Sequence, residues 1–79
     1  MSNEKTVAFT DFETDAIKAD SLDRDQLLSA FRSANIALAQ TLVFERTHGS
    51  QPYSPRERYY EAAAVLGQAL SRRYTRTES

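Results

Sequence analysis

Residues 22–48, LDRDQLLSAFRSANIALAQTLVFERTH, decide the fold. The stretch contains no Gly or Pro and changes character only at Gly49. At about 100° per residue, Leu27, Leu28, Phe31, Ala34, Leu38, Thr41 and Leu42 fall on one side, and Leu28, Phe31, Asn35, Leu38 and Leu42 recur in steps of three and four, the period of a helix-packing seam. Asp20 or Ser21 can cap the free N–H groups at the start, with Asp23 and Asp25 placing negative charge where the helix dipole favours it. Arg46 and His48 stand in the last turn, where cations are favoured, and Gly49 supplies a left-handed terminator. The pattern predicts one helix over about residues 22–48.

Downstream, Gly49-Ser50-Gln51-Pro52-Tyr53 is the turn-rich cluster of the chain. Ser54-Pro55-Arg56-Glu57 then reads as a capping box with Pro at the first helical position. Tyr59, Ala62, Leu66 and Ala69 continue the three–four stepping, which predicts a second helix over about residues 55–75. Gly67 weakens it by roughly 1 kcal/mol relative to Ala. Two long helices joined by a short loop form an antiparallel αα-hairpin, so the chain is expected to be all-α. Residues 21–79 make the hairpin domain and residues 1–20 an acidic amino-terminal arm. Val7 and Phe9 alternate as in a strand, but Thr10-Asp11-Phe12-Glu13 can cap a short helix carrying Phe12, Ala16 and Ile17. A loose arm or short helix is favoured, and deletion of residues 1–18 is expected to leave the hairpin's helicity largely intact.

A hairpin alone buries little. Ordering about 55 residues costs on the order of 80 kcal/mol, more than one two-helix seam offsets. The first helix also carries a second apolar edge, Ile36 and Val43 with Phe44 as a shoulder. Both features predict a homodimer in which two hairpins form a four-helix bundle, the seam being Leu28, Phe31, Leu38, Leu42, Tyr59, Ala62, Leu66 and Ala69.

Composition narrows the function. The 79 residues include one His and no Cys, so thiolate metal sites and disulfides are excluded and His48 has no second imidazole. The 41% hydrophobic content suffices for folding. Asp11, Glu13 and Asp15 alternate like a calcium loop, but Ala16 and Leu22 stand where that loop needs Gly and Glu. Two glycines in the whole chain leave no phosphate-cradling loop. No enzyme activity, metal, cofactor or small-molecule substrate is expected. The longest strictly apolar run, Ala62 to Leu66, is far short of the roughly 20 residues of a membrane span. With no secretory signal at the amino terminus, a cytoplasmic location is expected.

Net charge is −1, unevenly spread: residues 1–25 hold three bases against seven acids, and the remainder seven bases against four. Arg58, Arg72, Arg73 and Arg76, interleaved with Tyr residues, could face a nucleic acid, although Glu57 and Glu61 border that stripe. Tyr and Arg are also enriched at protein interfaces. Phe9, Phe12, Tyr53 and Tyr60 are candidate anchors together with those arginines. Alternatively, the acidic arm packs on the basic face of its own hairpin. The leading expectation is a protein-binding regulator or inhibitor acting sterically on a larger protein. In size and composition it resembles small regulators encoded by phages and other mobile elements. The alternatives are a nucleic-acid-associated protein and an antitoxin-like or chaperone-like partner subunit.

Overall fold

A computed structural model describes residues 10–78, with side chains to residue 74. The described chain is all-helical: α1 (Asp11–Ile17), a 3-10 turn (Ala19–Ser21), α2 (Arg24–His48) and α3 (Arg56–Glu78). α2 and α3 form the expected hairpin, and their mutual contacts dominate the fold.

α2 starts at Arg24, two residues later than expected, because the cap is Asp23 rather than Asp20 or Ser21. The Asp23 carboxylate accepts the Gln26 N–H at 2.8 Å, and the Gln26 side chain accepts the Asp23 N–H at 3.0 Å. Two free donors are satisfied reciprocally. Leu22 just before the cap and Leu27 at the fourth helical position join the same core, as in a hydrophobic staple. Gly49, at φ +88°, ends the helix and donates its N–H to the Glu45 carbonyl at 2.7 Å. α3 departs from the expected capping box. Pro55 supplies the carbonyl for the first helical bond, from Tyr59 N–H, and the Ser54 hydroxyl accepts from Arg56 N–H at 3.2 Å rather than from Glu57. Ser54 therefore stands one position too early to bridge to Glu57.

The intramolecular seam is rotated by about one residue from the one expected. Leu27, Ala30 and Ala34 of α2 are buried against Ala62, Ala63, Leu66, Ala69 and Leu70 of α3. Leu28, Phe31 and Leu38 are half-buried and Leu42 is 45% exposed. Two causes combine. Alanine on both helices lets the backbones approach closely, and α1 covers the Ala30 flank of α2, where Asp11, Phe12 and Asp15 face Ser29, Ala30 and Ser33. Burial from two sides selects Leu27, Ala30 and Ala34 over their larger neighbours.

Of the loose arm and the short helix expected for the amino-terminal segment, the structure has the short helix from Asp11 to Ile17. Thr10 caps α1, its hydroxyl accepting the Glu13 N–H while Glu13 accepts the Thr10 N–H at 2.9 Å. Phe12, Ala19 and Leu22 are buried in the hairpin's core. Phe12 meets Tyr59 edge-on, ring centroids 5.1 Å apart. Ile17, at the end of the same short helix, is 75% exposed.

Gly67 has a specific reason to be glycine. A Cβ built there would lie 2.9 Å from the edge of the Phe31 ring, inside contact distance. Gly67→Ala gains about 1 kcal/mol of helix propensity but must push that ring aside, at about 1–3 kcal/mol. The expected result is a net loss of about 1 kcal/mol in urea unfolding. In a Phe31→Ala background the same change should stabilise; identical effects in both backgrounds would remove the Phe31 explanation.

Candidate functional site

The helices divide the surface into three regions. On the first, α1 lies across the hairpin and is held by charge. Glu13 is buried, and its carboxylate accepts from Arg58 Nε at 2.7 Å and Nη2 at 3.3 Å, as well as from Thr10. The Arg58 guanidinium holds the Glu13 carboxyl below its ordinary value of 4.5, with burial opposing and the Thr10 bonds assisting. The same pairing raises the Arg58 pKa. Arg58 also lies over the Tyr59 ring, 5.7 Å from its centroid. Near the other end, Arg72 reaches the Asp20 carboxylate at 3.1 Å and Arg73 the Asp20 carbonyl at 3.0 Å. Three of the four arginines singled out from sequence therefore contact the acidic segment. The side chain of Arg76, like the whole of Phe9, lies outside the described residues.

A depressed Glu13 pKa stabilises the fold above the unfolded value, and that contribution disappears as pH falls from about 4.5 through the folded value. Glu13→Gln is expected to cost about 1–2 kcal/mol at pH 7, discounted because the Arg58 side chain is 37% exposed. The penalty should shrink as the pH of the chemical melt is lowered to 3. A penalty independent of pH would mean the charge is not what Arg58 recognises.

The second region is the opposite, open face of the hairpin. Leu28, Phe31, Leu38 and Leu42 line it from α2, and Tyr60, Gly67 and Tyr74 from α3. Tyr60 is 65% and Tyr74 44% exposed, and Arg24 sits over the Tyr74 ring, 5.5 Å from its centroid. At the loop end this face opens into a cleft of about 460 Å³ lined by Leu38, Leu42, Tyr60, Arg56, Glu57 and Glu61. Arg56 is held there by Glu45 at 3.0 Å. Glu45 went unnoticed in the sequence, although it lies in helical phase with Leu27, Ala34 and Thr41. It is buried, and its second oxygen has no hydrogen-bond partner among the described residues.

The third region is the outer side of α2. Ile36 is 59% and Val43 60% exposed, with Arg32 and Arg46 nearby in helical phase. Phe44, half-exposed, turns to the flank that α1 leaves uncovered and stacks on His48, ring centroids 4.2 Å apart. His48 Nδ1 lies 3.1 Å from the Phe44 carbonyl. Tyr53 in the loop is 93% exposed. Over an 18-residue window α2 reaches a mean hydropathy of 1.3 with 17% of the window buried, long and apolar enough by composition to cross a membrane. Strictly apolar runs missed this because Arg32, Asn35 and Gln40 interrupt them. Among the described residues no cluster of three or more His, Asp or Glu side chains could hold a metal ion.

These helices define a small all-α protein with one covered face, one open face and an apolar outer edge. No known family model, curated protein or solved structure matches the chain.

Proposed function

We propose that this chain is a small, non-enzymatic, cytoplasmic regulator that acts by covering a surface on a larger protein. The observation that carries this reading is the exposed outer edge of α2, where Ile36 and Val43 stand in water between arginines. Apolar side chains left in water along one helix edge stabilise nothing in the monomer; burial against another protein recovers about 25 cal/mol per Å². The partner's complementary site is an apolar groove with an acidic residue at its rim, to which Arg32 adds orientation and speed of encounter. Membrane insertion of α2 would bury Arg32 in hydrocarbon and uncouple Glu45 from Arg56, so the hydropathy of α2 is assigned to protein contact instead. The nucleic-acid alternative is weakened because Arg58 and Arg72 face carboxylates of the same chain.

Photo-crosslinking side chains at positions 36 and 43, with position 68 on the exposed side of α3 as control, test the reading in cells of the native host. One partner crosslinked at a single site from 36 and 43, and not from 68, is the expected result. Equal labelling from all three positions would overturn it.

A further inference from the structure

We infer that the open face of the hairpin is closed by a second copy of this chain, with the two-fold axis running along the helices so that α2 of each copy lies on α3 of the other.

The Cα atoms span 46 × 34 × 14 Å; α1 packs on the Ala30 and Ala62 side of the hairpin, and among the described residues no element covers the opposite side. Two helices of about 35 Å packed about 9 Å apart present roughly 600 Å² in projection, and more over their side-chain relief. That approaches the about 800 Å² that each partner contributes to a stable interface. The face carries protrusions and recesses that complement each other. Leu28 and Leu38, half-buried, and Leu42, 45% exposed, supply the bulk on α2, whereas Ala64, Gly67 and Ser71 leave α3 shallow apart from Tyr60 and Tyr74.

The cross-hairpin pairs Arg24–Tyr74, Phe31–Gly67 and Glu45–Arg56 show which residues share a level along the helices. Leu38 and Leu42 share that of Tyr60, and Arg46 lies within one turn of the level of Glu57. Rotation about an axis parallel to the helices preserves every level. It therefore seats Leu38 and Leu42 of one copy against Tyr60 of the other, at the cleft both copies present, and sets Arg46 beside the second copy's Glu57 twice by symmetry. A perpendicular axis would instead lay α2 on α2 and bring Arg46 to the level of Arg24, a like-charge contact. The paired seam is Leu28, Phe31, Leu38 and Leu42, the stripe that the intramolecular packing leaves half-buried or, at Leu42, 45% exposed. This inference goes beyond the steric reading, because it concerns a different face from the Ile36–Val43 edge.

Sedimentation equilibrium of the full chain should give a dimer that dissociates on dilution. Leu42→Asp should raise the dissociation constant at least about a hundredfold while leaving helical circular dichroism unchanged, since Leu42 is 45% exposed. Arg46→Glu and Glu57→Arg should each weaken the dimer several-fold, and together restore it. The chain has no cysteine, so orientation can be read from mixed single-cysteine chains. Leu42→Cys with Tyr60→Cys should form an intermolecular disulfide under mild oxidation, and Leu28→Cys with Leu42→Cys should not. The reverse pairing, or a monomer at all concentrations, would overturn the inference. A monomer that still crosslinks its partner through positions 36 and 43 would leave the steric reading standing. A dimer with indiscriminate crosslinking would do the opposite.

Discussion

Deletion of residues 1–21 is expected to abolish the cooperative thermal transition. The deleted part includes α1 and the 3-10 turn, which bring Phe12 and Ala19 into the core. They also carry Glu13 and Asp20, the partners of Arg58 and Arg72. Losing a buried Phe side chain costs about 3–5 kcal/mol. Removing Glu13 adds the cost of an arginine left without its carboxylate, and Tyr59, Ala30 and Ala62 gain contact with water. Against this, a domain of this length has a total stability of roughly 4–12 kcal/mol. The remaining hairpin should melt broadly and early when followed by far-ultraviolet circular dichroism. Phe12→Ala in the full chain, a gentler perturbation, should lower the unfolding free energy by about 3–4 kcal/mol. If the truncated chain keeps a sharp transition at the original temperature, the hairpin is self-sufficient and α1 is an accessory.

Leu66→Ala is expected to be the most damaging single truncation in the hairpin, at about 3–5 kcal/mol. Leu66 is fully buried in the centre of the core cluster, which also holds Leu27, Ala30 and Ala34. Alanine-rich surroundings have little side chain with which to refill the void. Leu42→Ala, on the open face, should cost less than about 1 kcal/mol in dilute solution, and more as rising concentration favours the paired state. Urea midpoints across a concentration series measure both. Equal penalties in dilute solution would mean that Leu42, not Leu27 and Ala34, faces α3.

Both predictions turn on a one-residue rotation that the periodicity left open. Residues 27, 30 and 34 follow the three–four rule as well as 28, 31 and 35 do, and the larger side chains make the second stripe look stronger. The choice between them depends on what else packs against α2, and that is α1. Thr10 and Glu13 were legible as a cap, whereas the destination of Phe12 was not, because nothing in a seven-residue helix says which neighbour it meets. The same holds for the arginines. Their clustering in the carboxy-terminal half and the acids in the amino-terminal quarter were visible as opposite charge. That Arg58 meets Glu13 and Arg72 meets Asp20 follows only from where α1 lies. Glu45 could have been found, since it recurs on the apolar stripe of α2, but a lone carboxylate in that phase is easily read as an exposed end.

The sequence by itself determined the helical class, the two long elements and the loop between them. Those features depend on local chemistry: the cap at Thr10, the terminator at Gly49, and an apolar period near 3.6. It also determined that the chain has more apolar surface than a two-helix seam can bury. The tertiary structure decided how that surface is divided. Alanine contact and the docking of α1 draw Leu27, Ala30 and Ala34 inward. The larger stripe from Leu28 to Leu42 is left partly exposed, and the edge at Ile36 and Val43 faces water. A helix's period is a property of its own backbone, but which side of it becomes the inside is set by everything that packs against it.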